Sequence, residues 1–198
     1  EQQDTSLAVQ FIVELANMPF KQQEQILMFI LEHLPRFSGA SLDARGNGQY
    51  LSECAVDEYG ELVDAVMLSE KWYRENTPAF KAALEDGELT GIPKDKDVLA
   101  DLRSFELVKG VARIPDKRTT SDDGNNDNKR HGDTAISLLL MHHASRSEKP
   151  TETGVAVEGD AGKSYGRNTS GDYMGGMDYA GVDIGEHGSR LGLSLIHS

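Results

Sequence analysis

The sequence predicts an α/β domain, a sheet with helices on its faces. Two observations carry this. Runs rich in β-branched and aromatic residues alternate with helical runs up to about residue 146. The helical runs place apolar residues on one side, as Ile26, Leu27, Ile30, Leu31 and Leu34 do. A change of composition then marks where the domain ends. Residues 147–198 hold 11 of the 20 glycines and almost no clustered apolar residues, so they read as a flexible tail.

The elements follow in order. Residues 7–15, LAVQFIVEL, read as a strand. Asn17 and Pro19 signal the helix that follows. Residues 37–42 form a short buried strand ending at Asp43, and the turn Arg45 to Gly48 opens a helix that Gly60 closes. Leu62 to Leu68 is the next strand. Ser69 and the pair Thr77-Pro78 start helical pieces that run to Gly87. A short extended piece at 89–92 precedes a helix from about Asp95 to Ser104, and Phe105 to Ile114 reads as a strand. Thr119 to Asn128 is a polar loop. The last helix begins near Asp133 and is apolar on nearly every side, so protein should surround it.

Charge and composition bound the function. The net charge is −13, which excludes a basic footprint over the whole surface but leaves room for a local basic patch. Cys54 is the one cysteine, so neither a disulfide framework nor a cysteine zinc cluster can form within the chain. No run approaches 18 apolar residues and no signal peptide opens the sequence, so a reducing, cytoplasmic setting without membrane contact is expected.

Two carboxylates stand where chemistry is expected. Asp43 follows a short apolar strand and precedes Gly46-Asn47-Gly48 and a helix. Sites in α/β sheets form at the carboxyl ends of strands, and glycine backbone at a helix start lets a phosphate approach closely. The alternative is an Asp that caps a turn. Asp133 opens the apolar helix, where the helix dipole favours a carboxylate by about 0.3–1 kcal/mol whatever its function. Its neighbours give a second reading. Lys129 and Arg130 could meet phosphates, and His131 could bind or carry a proton. Two acids beside a basic strip suit metal-dependent phosphodiester chemistry, with two Mg²⁺ or Mn²⁺ ions about 3.5–4 Å apart. Lys109, Arg113, Lys117 and Arg118 extend the strip, while Asp116, Asp122, Asp123 and Asp127 dilute it.

Other patterns fail on context. VEGDAGKS, Val157 to Ser164, lacks the first glycine of a phosphate-binding loop and has no strand before it. GASLD lacks the last glycine of a nucleophile elbow. His142 and His143 are adjacent, so they point from different sides of a helix and cannot share a metal. NTS at Asn168 fits a glycosylation sequon, but nothing points to secretion.

LDARGNGQYLSE, VMLSEKWYRENTPAFKAALEDG, IPKDKDVLADLR and RHGDTAISLLLMHHAS occur in that order. Together they resemble the C-terminal region of Mu-like phage terminase large subunits, over roughly Asn17 to Arg146. The resemblance implies an RNase H-like nuclease, a mixed sheet flanked by helices, with an acidic two-metal site that cuts duplex DNA. It implies a terminase small subunit and a portal protein as partners, and the host cytoplasm as location. By motif, Asp43 corresponds to the acid after a central strand and Asp133 to the last acid, so both would bind metal. His131 would assist, and Arg45, Lys129 and Arg130 would contact DNA. Residues 1–146 would then be the nuclease domain without its first strand, which carries the family's first acid, and 147–198 the tail. Asp4 in DTSLAV imitates that acid but lies too close to Pro19 for the family's intervening hairpin. A non-catalytic docking module of the packaging motor is the competing expectation for this chain.

Overall fold

The computed structural model describes residues 6–15, 18–46, 48–115 and 132–147, and the backbone of 189–193. Its centre is a parallel three-stranded sheet in the order β3-β2-β7, formed by β2 (Phe37–Asp43), β3 (Val63–Val66) and β7 (Ser189–Leu193). Ala40 pairs with Val63 and Asp43 with Val66 on one side of β2, and Ala40 pairs with Leu191 on the other.

Side-chain alternation in β2 separates two cores. Ala40 and Leu42 pack with Val63 against Leu27 and Leu31 of α1 (Phe20–His33) and against Leu51 and Ala55 of α2 (Gly48–Tyr59). Ser41 and Asp43 therefore face the opposite side. There Val66 and Leu68 join a second core with α3 (Glu70–Glu85) and α5 (Asp133–Arg146). The sheet is thus covered on both faces. That suits a parallel sheet, whose strands are joined by crossover helices.

Local signals explain most boundaries. Pro19 precedes α1, and its carbonyl accepts from the Gln22 and Gln23 amides. Ser69 caps α3 by accepting from the Trp72 amide, and Asp95 caps α4 (Lys96–Arg103) by accepting from Asp97 and Val98. α5 is buried all round, as its sequence implied; Ala135, Leu139, Leu140 and Ala144 are fully covered.

Several expectations change. The strand at 7–15 shrinks to β1 (Leu7–Ala8), which pairs in parallel with β4 (Leu89–Thr90) as a separate two-stranded sheet. The Thr77-Pro78 pair does not restart a helix, because α3 runs straight through Pro78. Pro78 and Arg74, whose carbonyl loses its i+4 partner, both lie on the exposed side of α3, where water can replace that bond. The strand at 105–114 is a hairpin of β5 (Glu106–Val108) and β6 (Val111–Arg113). Its two-residue turn has Lys109 at φ 51° and Gly110 at φ 80°, the backbone of a tight hairpin turn. The antiparallel pair forms a sheet of its own, and among the described residues the central sheet is parallel where a mixed one was expected. Residues 189–193 form β7 instead of belonging to a tail, while the rest of 147–198, apart from Ser147, lies outside the described residues, as does the loop at 119–128. Among the described residues no helix is long and apolar enough to cross a membrane.

Candidate functional site

Asp43 is the last residue of β2, on the face that α5 covers, and its side chain is 14% exposed. Its Oδ1 accepts from the Arg45 backbone amide at 3.0 Å and from Arg45 Nε at 3.2 Å, and its Oδ2 accepts from Arg45 Nη2 at 3.3 Å. One planar guanidinium thus meets both carboxylate oxygens, a fork that a lysine could not reproduce. Arg45, expected to contact phosphate, meets this carboxylate here.

The turn beyond is closed by glycine for a reason the sequence did not show. A Cβ on Gly48 would lie 2.1 Å from the Asp43 carbonyl oxygen. The first residue of α2 therefore touches the backbone of Asp43, and only glycine fits there. Gly46 has φ +51°, which also favours glycine.

Asp133 is 8% exposed at the start of α5. Gly132 precedes it at φ 72° and has no side chain to cap the helix. A Cβ on Gly132 would lie 2.7 Å from Ser104 Oγ and 2.9 Å from Ile114 Cδ1. The cap comes from another helix. Asp101 of α4, 3% exposed, accepts from the Thr134 amide at 3.3 Å. The Thr134 hydroxyl donates to Glu14 Oε1 at 2.9 Å. Three acids from three parts of the chain, Glu14, Asp101 and Asp133, thus gather at the first turn of α5. Asp101 and Glu14 were not singled out from sequence. Asp101 left a signal, since it lies three residues after Val98 on the buried side of α4. Glu14 left none, because its partner is 120 residues away.

Asp43 and Asp133 are therefore carried by two elements that pack against each other, β2 and α5. His131, Lys129 and Arg130 lie outside the described residues, as do Lys117 and Arg118. Of the basic strip, Lys109 is exposed in the hairpin turn and Arg113 is half-buried in β6. Among the described residues no group of three or more His, Cys, Asp or Glu is arranged to hold a metal ion.

At the last turn of α5 the two histidines part. His142 is buried against Phe80, and burial first, then Arg146 and His143, push its pKa down to about 4. His143 lies against Trp72, with Nδ1 3.0 Å from Asn76 Oδ1 and Nε2 3.9 Å from Asp64 Oδ2. They share no site, as their adjacency required.

Fold and site together define an α/β domain with one carboxylate where a parallel strand ends and another where the covering helix starts. Comparison with known proteins gives the lineage. The chain is 42% identical over 145 residues to the Mu-like prophage FluMu protein gp28 of Haemophilus influenzae, covering 73% of this chain and 28% of that protein. It is 44% identical over 136 residues to the probable terminase, large subunit gp28, of Escherichia phage Mu, covering 68% of this chain and 24% of that protein. No family model matches it, and no solved structure does. Over about 70% of its length the chain is thus homologous to gp28 proteins of Mu-like phages, a probable terminase large subunit among them, and it spans about a quarter of the length of these relatives.

Proposed function

We propose that this domain is the DNA-cutting part of a packaging terminase, an RNase H-like endonuclease that uses Mg²⁺ or Mn²⁺. The observation that carries the reading is the placement of Asp43 on the α5-facing side of β2, with Asp133 opening α5, in a chain homologous to terminase large subunits. The donor chemistry fits. Two largely buried carboxylates are hard oxygen ligands suited to such ions. Bound ions would activate the attacking water and stabilise the leaving oxygen. The chain's own part is to hold them with Asp43 and Asp133, to move a proton at His131, and to bind the phosphate backbone of duplex DNA with Lys129, Arg130 and a released Arg45. Two carboxylates are few for two ions, and β7 beside β2 carries no acid, so further ligands would come from outside the described residues. The host cytoplasm, a terminase small subunit and a portal protein complete the setting.

The test is Mn²⁺- or Mg²⁺-dependent nicking of supercoiled plasmid, in the chain and in the full-length terminase. Asp43→Asn and Asp133→Asn keep the shape and lose the charge, so each should abolish cutting in whichever protein cuts, without unfolding. Parental cutting by both variants would sink the site. A docking module without catalysis is the second reading. Arg45 favours it, because its guanidinium already meets both oxygens of Asp43. Metal-independent binding to a packaging component, without nicking in either protein, would establish that reading.

A further inference from the structure

Among the strands whose burial is described, β2 is the best protected, with Ala40 and Ser41 at 0% and Leu42 at 1% exposure. Its two neighbours arrive by different routes. β3 follows through α2, a short local crossover. β7 arrives from the far side of residues 148–188 and lies in parallel, pairing Leu191, Gly192 and Leu193 with Ala40, Ser41 and Leu42. α5 packs across both β2 and β7. One edge of a buried strand, roofed by a helix, is thus satisfied by a segment that lies far along the chain from the rest of the sheet.

We propose that this edge of β2 is a strand-accepting groove whose occupant, Ser189–Leu193, is exchangeable for a free peptide of the same sequence. Backbone hydrogen bonds to a sheet edge give such additions their affinity, and pockets for alternate side chains give them selectivity. The groove cannot stand empty at low cost, because the N–H and C=O groups of β2 on that edge lie under α5, away from water. The occupant is also incompletely matched. Ser41 Oγ is buried on the α5 side without a hydrogen-bond partner among the described residues; on this edge Ser41 pairs with Gly192, which has no side chain to offer it one, as it pairs with Asp64 on the other. A strand that leaves a buried hydroxyl unanswered is held less firmly than one that answers it. The segment also meets the rule for strand recognition, since Leu191, Leu193 and Leu195 alternate at period two.

The probe is a fluorescein-labelled peptide of residues 187–196, mixed in excess with the full chain and followed by anisotropy. Uptake should be slow and reach a rate independent of peptide concentration, because release of the resident strand limits it. Leu191→Pro and, separately, Gly192→Pro in the full chain bracket the alternating N–H groups, one of which must donate to β2. At least one variant should take up the peptide tenfold or more faster than the parent, and the peptide should restore amide-exchange protection at Ala40 to Leu42. A peptide carrying both prolines should not bind. No uptake by the parent or by either variant would overturn the proposal. So would a proline variant that unfolds and is not refolded by the peptide, or equal uptake of the double-proline peptide. Uptake and amide exchange are read without any cutting step, which keeps this test independent of any nuclease activity.

Discussion

Asp101 should hold the first turn of α5 in place, and its removal should be felt throughout the domain. The amides of a helix's first turn have no acceptor within the helix. The Thr134 amide is one of these, and Thr134 is 3% exposed, so water does not readily serve it. Asp101 Oδ2 accepts from it at 3.3 Å from a helix 33 residues back. Asp101→Ala leaves a buried donor unanswered, at about 1–3 kcal/mol. It also removes a negative charge from a helix N-terminus, worth about 0.3–1 kcal/mol. Relief of the buried acid's own desolvation offsets part of this, so a net loss of about 1–3 kcal/mol is expected. In a chain of this length that lowers Tm by roughly 2–12 °C. Urea titration gives the better measure, as a fall in midpoint with an unchanged slope. Asp101→Asn keeps one acceptor oxygen and should lose less than Asp101→Ala. Asp97→Ala, exposed in the first turn of α4, loses only a helix-dipole contribution of about 0.3–1 kcal/mol and so bounds that part of the effect. If Asp101→Ala stays within about 0.5 kcal/mol of the parent, like a surface substitution, the carboxylate does not cap α5 and the reasoning fails.

Three further outcomes follow from the same geometry. Gly48→Ala drives a Cβ into the Asp43 carbonyl, which cannot yield as a flexible side chain would, so it should cost at least about 1–3 kcal/mol in urea titration; parental stability would mean that the turn relaxes freely. Arg45→Ala removes the guanidinium from both oxygens of Asp43 and leaves only the backbone amide on Oδ1, while costing only about 0–1 kcal/mol, because the pair is partly exposed; Mn²⁺ should then bind more tightly by calorimetry, and equal affinity would show that the guanidinium does not compete for the carboxylate. His142 is held neutral by burial with its pKa lowered from 6.5 to about 4, so between those values the unfolded chain binds the extra proton. Stability is therefore full above about pH 6.5 and is lost as pH falls towards 4, and His142→Leu should flatten that part of the pH–stability curve.

Where the sequence carries a local signal, the structure follows it. Pro19, Ser69 and Asp95 mark helix starts because capping is decided within a few residues. Asp43 ends its strand and Asp133 opens its helix where the residues themselves placed them. The all-round apolar character of α5 announced its burial. Tertiary structure decided what depends on partners distant in the chain. Pro78 stays inside a helix because that side of α3 faces water. Asp101 and Glu14 reach α5 from 33 and 120 residues away, a separation no periodicity records. Arg45 turns back onto Asp43 because the turn brings its guanidinium over the carboxylate, whereas the sequence showed only a cation near an acid. The five residues of β7 become a strand because β2 offers them a buried edge. Alternating leucines are too weak a local preference to announce this alone, since strand formation draws its free energy from pairing and burial against another part of the chain.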